Sequence, residues 1–156
     1  MAEAAIVPFS DEFGEAFAEL NREWIEQFFT LEESDLKMLR DPHAILSGGG
    51  QIFFALDGPV PVGTVAAVRQ SSDAFELAKM AVRPSHQGQG LGERLGRSAI
   101  QYARDCGAAM IFLETNSLLA NAIRLYARLG FEHAPPPHPS PYARANVYME
   151  LRFPPQ

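Results

Sequence analysis

The chain has 156 residues, 47% hydrophobic and 21% charged, a length and balance that predict one globular domain over residues 1–156 with a true core. Its net charge of −6 excludes a general nucleic-acid binder, which needs a basic footprint, but leaves room for a local anion site. The N-terminal residues carry no secretory pattern, no run approaches the ~18 apolar residues that span a bilayer, and Cys106 has no cysteine to pair with, so cytoplasm is the expected compartment.

In chain order, "AIVPF" is short and β-branched, as a first strand should be. "SDEFGEAFAELNREWIEQFF" sets Phe13, Phe17, Leu20, Trp24, Ile25 and Phe28 on one helical stripe, capped by Ser10 or Asp11. "LEESDLKMLRDP" predicts a shorter helix stopped at Asp41-Pro42, after which "HAILSGGG" breaks the pattern. The period then changes to two. "QIFFAL", "VGTVAAVRQ" and "AFELAKMAV" predict three strands of an antiparallel meander. A helix follows over 90–106, with Leu91, Leu95, Ala99 and Tyr102 along one side, then a buried strand, "AMIFLET". "SLLANAIRLYARLGF" predicts a long helix with Ser117 as a candidate cap and Gly130 at its end. After the proline-rich "APPPHPSP" comes a final strand in "YARANVYMELRF". The sum is an α+β (α/β/α) domain: a mixed, mostly antiparallel sheet of about six to seven strands flanked by helices.

The stretch "RPSHQGQGLGERLG" joins a strand to a helix through Gly88, Gly90 and Gly92. The first turn of a helix has unpaired N–H groups and a positive dipole end, and glycines let an anion approach them. Arg83, His86, Arg94 and Arg97 add positive charge nearby. The P-loop pattern fails at Gly92-Glu93, and the dinucleotide pattern fails because Glu93 and Leu95 stand where its third glycine would fall. On the glycines alone, a flexible loop without a ligand remains open.

Gln87-Gly88-Gln89-Gly90-Leu91-Gly92 resembles the acyl-CoA pyrophosphate loop, Q/R-x-x-G-x-G/A, of the GNAT superfamily of N-acetyltransferases. "MAVRP" resembles the end of that family's fourth strand. "NAIRLYARLGF", with Asn121, Tyr126, Gly130 and Phe131, resembles its later helix at the usual separation, and the order of elements agrees over about residues 5–153. The resemblance implies an acyl-CoA N-acyltransferase fold and acetyl-CoA as co-substrate, with residues 87–92 on its diphosphate. It implies that Met80, Ala81 and Val82 pair with the pantetheine arm through their backbone, and that Asn121 bonds the same arm.

Transfer from a thioester to an amine needs a base, because an alkyl amine with a pKa of roughly 10.4 arrives protonated, and a proton for the departing thiolate. By resemblance Tyr126 is the acid; read alone, it better fits a core tyrosine beside Ala122, Leu125 and Leu129. Glu76 lies where histone-acetylating relatives carry their catalytic glutamate; its alternatives are an exposed charge, a partner for Lys79, or a water as the base. For the acceptor, Tyr142 and Arg144 fall on one face of the expected last strand, where Arg144 could clamp a substrate carboxylate or stand exposed. Trp24 and Phe28 fit either the acceptor pocket or the core. The four histidines share no ligand spacing, and no metal is expected.

The leading expectation is an N-acetyltransferase acting by direct attack on a primary amine of a small molecule, with a homodimer as an open option. Its alternatives are a non-catalytic acyl-CoA-binding or sensor module and a protein or peptide lysine acetyltransferase.

Overall fold

The computed structural model describes residues 4–155. The sheet opens with β1 (Ala5–Pro8) at one edge, and a single 3₁₀ turn (Asp11–Phe13) leads into α1 (Gly14–Phe28). Next come α2 (Glu33–Arg40) and α3 (Pro42–Ser47). The expected stop at Asp41-Pro42 is real, but the same proline then opens α3 at its first position, so "HAILS" is helical rather than a break.

The meander forms as expected from β2 (Gln51–Asp57), β3 (Val60–Arg69) and β4 (Ala74–Val82). After α4 (Leu91–Asp105) the chain crosses to β5 (Met110–Thr115), then α5 (Ala120–Leu129), the two-residue β6 (Glu132–His133) and β7 (Val147–Arg152). The seven strands lie in the order β1-β2-β3-β4-β5-β7-β6, antiparallel except for β4 beside β5. This agrees with the mixed, mostly antiparallel sheet expected.

Two apolar layers cover the sheet. On one face, the α4 stripe of Leu91, Leu95, Ala99 and Ala103 joins Val65, Phe75 and Ile111 in one core. On the other, Phe17 of α1 packs with Leu39, Ile45, Ile52 and Phe54. Tyr102 is half-buried in the first core, and its hydroxyl donates to the carbonyls of Gly49 (3.0 Å) and Gly50 (3.3 Å), so no polar group is stranded there.

Three features open a site. First, the parallel β4–β5 ladder has only three pairs: Ala74 with Met110, Phe75 with Ile111 and Glu76 with Phe112. Beyond Glu76 the two strands part. Second, β4 carries an extra residue where Thr64 pairs with Ala81 but Ala66 pairs with Ala78, and Lys79 at this bulge has φ +55°. A bulge of this kind bends a strand and re-aims its side chains. Third, the last strand starts late. Residues 142–146, expected in β7, form a loop held from both sides: the Glu32 carboxylate accepts from the Ala143 N–H, and Asn116 Nδ2 donates to the Arg144 carbonyl. Alternation along a strand therefore does not position Tyr142 or Arg144.

Helix α5 likewise starts at Ala120 instead of near Ser117. Asn116 Oδ1 accepts from the Leu118 N–H, and Asn146 Oδ1 accepts from the Ser117 N–H, which holds 116–119 as a turn.

Candidate active site

The wedge between β4 and β5 holds two connected spaces. An outer groove of about 660 Å³ runs between the end of β4, the glycine turn and α5. A narrower inner pocket of about 80 Å³ lies on the α1 face of the sheet, under the 139–146 loop. Trp24, Met80, Leu119 and Tyr126 line both, so they mark the waist where the two spaces meet.

Gly88 and Gly90 shape the turn, at φ +78° and +81°, a backbone region that residues with a Cβ enter at a cost of about 1–2 kcal/mol. Both positions face open space, with no atom within 4 Å of where a Cβ would stand, so conformation and not crowding selects glycine. Gly92 is different: a Cβ there would stand 3.1 Å from Leu125 Cδ2, which makes it a packing contact between α4 and α5. Gln87 Nε2 donates to the Val82 carbonyl (3.0 Å) and ties the turn to the end of β4. Helix α4 then begins with first-turn N–H groups at the groove and no side chain capping them. This chemistry suits a diphosphate.

Met80, Ala81, Val82, Gln87, Gly88, Gly90, Leu91, Gly92 and Asn121 all line the groove, as does Phe28, which is 57% exposed. Gln89 is exposed and takes no part in the lining. Two cations that sequence reading passed over, Arg124 and Arg128, also face the groove from α5. Their signal was the spacing Asn121, Arg124 and Arg128 along one helical side. Of the cations expected near the turn, Arg97 is paired with Glu93 (3.8 Å) and His86 contacts Asp57 (2.9 Å).

Glu76, the last residue of the short ladder, stands in the inner pocket and is only 9% exposed. Gln70 Nε2 donates to its Oε1 (3.0 Å). Burial first, and then the carboxylate of Glu114, push its pKa up from 4.5 to about 7, against the opposing pull of Lys79 and Gln70. A carboxylate titrating there is suited to exchange protons at neutral pH. At the waist, burial pushes the Tyr126 phenol up to about 12, so it stays protonated.

The remaining polar groups form one buried network. Asp35, fully buried on α2, accepts from Arg144 Nη2 (2.6 Å) and Nη1 (2.7 Å) and pairs with Lys79 Nζ (2.5 Å). Lys79 Nζ also donates to the Tyr142 hydroxyl (3.1 Å), and Arg144 Nη1 reaches Glu32 (3.2 Å). Burial alone would raise the Asp35 pKa, but the hydrogen bonds from Arg144 and Lys79 outweigh it and hold the carboxyl far below the usual range. Burial draws the Lys79 pKa down, against the hold of Asp35. The two-pronged clamp expected between Arg144 and a substrate carboxylate is thus made to Asp35, and that fork is already filled. Tyr142 and Arg144 do line the inner pocket, together with Trp24 and Tyr126. Asp35, Glu114 and Asn21 were not foreseen, and Lys79, considered as a partner for Glu76, is bridged to Asp35 instead.

No described helix is long and apolar enough to cross a membrane, and no group of three or more His, Cys, Asp or Glu among the described residues is placed to hold a metal ion.

The model of the Acetyltransferase (GNAT) family matches residues 15–131. Among curated proteins, the uncharacterized N-acetyltransferase YjgM of Escherichia coli K12 is 41% identical over 71 residues, 46% of this chain and 42% of that protein. N-acetyltransferase 8F1 of Rattus norvegicus is 31% identical over 114 residues, 70% of this chain and 51% of its own. The chain thus spans about half the length of the curated relatives it matches or less. Among solved structures, an acetyltransferase of the GNAT family from Staphylococcus aureus Mu50 superposes with a TM-score of 0.86 at 20% identity, over 96% of this chain and 98% of its own. The yncA protein of Salmonella typhimurium, solved with acetyl-CoA, superposes with a TM-score of 0.77 at 22% identity, over 99% and 96%. Likeness at that identity establishes the shared fold.

Proposed function

As the chain belongs to the GNAT family of acetyltransferases, we propose that it moves an acetyl group from acetyl-CoA to a primary amine of a small molecule by direct attack. One observation carries this reading. A groove headed by uncapped helix N–H groups narrows to a waist at Tyr126 and leads into a pocket that holds Glu76.

Acetyl-CoA supplies the acetyl group as a thioester. The α4 N-terminus and the 87–92 turn hold its diphosphate, with Arg124 and Arg128 adding positive charge. Residues Met80 to Val82, on the strand edge that β5 leaves free, pair with its amides as an added strand would. Asn121 contributes to the same arm. Glu76 Oε2 takes the proton that the amine must lose, directly or through a water, and the Tyr126 O–H gives a proton to the sulfur. A small acceptor is favoured over a protein because the 139–146 loop, strapped to α2 through Glu32, covers the inner pocket.

Two measurements test this. Acetyl-CoA at 100 times its dissociation constant is expected to stabilise the fold by about 2.7 kcal/mol, a Tm rise of roughly 5–10 °C; no shift removes the co-substrate. Tyr126→Phe is expected to lower kcat roughly a hundredfold while acetyl-CoA affinity stays within about twofold. Equal rates for variant and parent would take the acid out of the scheme. Binding without turnover of any amine would leave an acyl-CoA-binding module.

A further inference from the structure

The acceptor can be described further, on the premise of the acetyl-transfer reading above. We propose that it is a short diamine, acetylated on the nitrogen beside Glu76 while its second nitrogen stays an ammonium held by Glu114.

The charges of the inner pocket carry this. Its two cations are occupied: Lys79 by Asp35, and Arg144 by Asp35 and Glu32. Its two carboxylates, Glu76 and Glu114, form no ion pair among the described residues. Glu114 accepts a single hydrogen bond, from Ser140 Oγ at 2.8 Å on the covering loop. The pocket therefore presents uncompensated negative charge to whatever enters it.

Register sets the spacing. Glu76 pairs with Phe112, and Glu114 lies two residues further along β5, so both carboxylates project from the same face. Strand rise and strand separation put their Cα atoms roughly 8 Å apart, or more where the strands diverge. A chain of a few methylenes between two nitrogens spans such a gap, with Trp24, Phe29 and Tyr126 as walls for the carbons.

The acceptor oxygens lining the pocket point the same way. Of the Glu76 oxygens only Oε1 accepts a bond, although the side chain is nine-tenths buried. Asn21, 1% exposed, donates Nδ2 to the Phe17 carbonyl, while its amide oxygen has no partner among the described residues and lines the pocket. These acceptor oxygens open onto the pocket, and an ammonium group, which carries only donors, suits them. An acceptor carrying its own carboxylate would meet like charge and find the Arg144 fork filled.

The bookkeeping of atoms is simple. The nitrogen facing Glu76 arrives as an ammonium, loses one proton to that carboxylate and attacks the thioester carbon to form the N–C bond. As the C–S bond breaks, the sulfur takes a proton from Tyr126, the nitrogen's second proton restores the Tyr126 hydroxyl directly or through a water, and Glu76 returns its own proton to solvent. The products are a monoacetylated diamine and coenzyme A, and the second ammonium is unchanged throughout.

Three acceptors of matched length test the assignment: 1,4-diaminobutane, butylamine and 4-aminobutanoate, with acetyl-CoA binding followed in parallel by thermal shift. kcat/KM is expected to fall by about tenfold or more from the diamine to the monoamine, and again to the amino acid. Glu114→Gln is expected to raise KM for 1,4-diaminobutane about tenfold and leave that for butylamine within about twofold, with the acetyl-CoA shift retained as a check on folding. Calorimetric titration of 1,4-diaminobutane into the free protein should weaken by a similar factor. A diamine no better than butylamine, a preference for 4-aminobutanoate, or equal effects of Glu114→Gln on all three overturns the proposal. So does turnover of none of them by a protein that binds acetyl-CoA, whereas failure to bind acetyl-CoA overturns the acetyl-transfer reading itself.

Discussion

Glu76→Gln is expected to lower kcat by about 10²- to 10³-fold and, at the same time, to make the protein more stable at pH 8. The first effect follows from removing the carboxylate that receives the amine proton. The second follows from linkage. Glu76 titrates near 7 in the fold and near 4.5 unfolded, so both states are protonated below pH 4.5 and the native pocket is unstrained. Between 4.5 and 7 the native state keeps a proton that the unfolded chain has released, and stability falls as pH rises. Above 7 the buried charge costs about 3 kcal/mol at most, since one pKa unit is 1.36 kcal/mol. Glutamine is neutral throughout. The variant and the parent should thus melt together near pH 4.5 and separate by several degrees at pH 8. A constant Tm difference across that range would show that Glu76 is not titrating where its surroundings place it. In the parent, the acid limb of kcat/KM should show a pKa close to 7, rising with pH as Glu76 ionises.

Asp35→Ala should destabilise the fold by about 3–5 kcal/mol. The Asp35 side chain is wholly buried, the Lys79 side chain is 4% exposed and that of Arg144 18%, so the alanine leaves Lys79 without its ion pair and Arg144 with Glu32 alone, with little solvent to compensate. Urea unfolding at pH 7 measures the loss. Adding Lys79→Met to Asp35→Ala should recover part of it, because one unpaired charge is removed with its desolvation. A single variant within about 1 kcal/mol of the parent would mean that water reaches the network freely. The pH dependence has the opposite sign to that of Glu76. The Asp35 pKa is depressed, so its contribution is full above the ordinary carboxylate range and is lost as pH falls below it.

The glycine turn was legible in the sequence because its constraint is local: a positive φ at residues 88 and 90 is written directly as glycine. The meander and α4 were legible because each buries one face, and burial imposes a period. The inner network was not. Arg144 and Asp35 are 109 residues apart, and in "EESD" nothing sets the one fully buried carboxylate apart from Glu32 and Glu33. Tyr142 and Arg144 alternate as a strand would, yet bonds from Glu32 and Asn116 on other elements hold that stretch as a loop. Partners distant in sequence leave no periodic trace. The late start of α5 has the same cause, since side chains of Asn116 and Asn146 fix the turn before it.

The three-pair ladder between β4 and β5 has a mechanical meaning. It makes the sheet two plates riveted at one end: β1 to β4 on one side, β5 to β7 on the other, with α4 and α5 in contact through Gly92 and Gly96 as the second fastening. A molecule lying in the gap and bonding to the bare edge of β4 would add rivets along the open seam. Occupancy there would stiffen both plates at once, so grip on one substrate and the shape offered to the other become a single elastic property of the sheet.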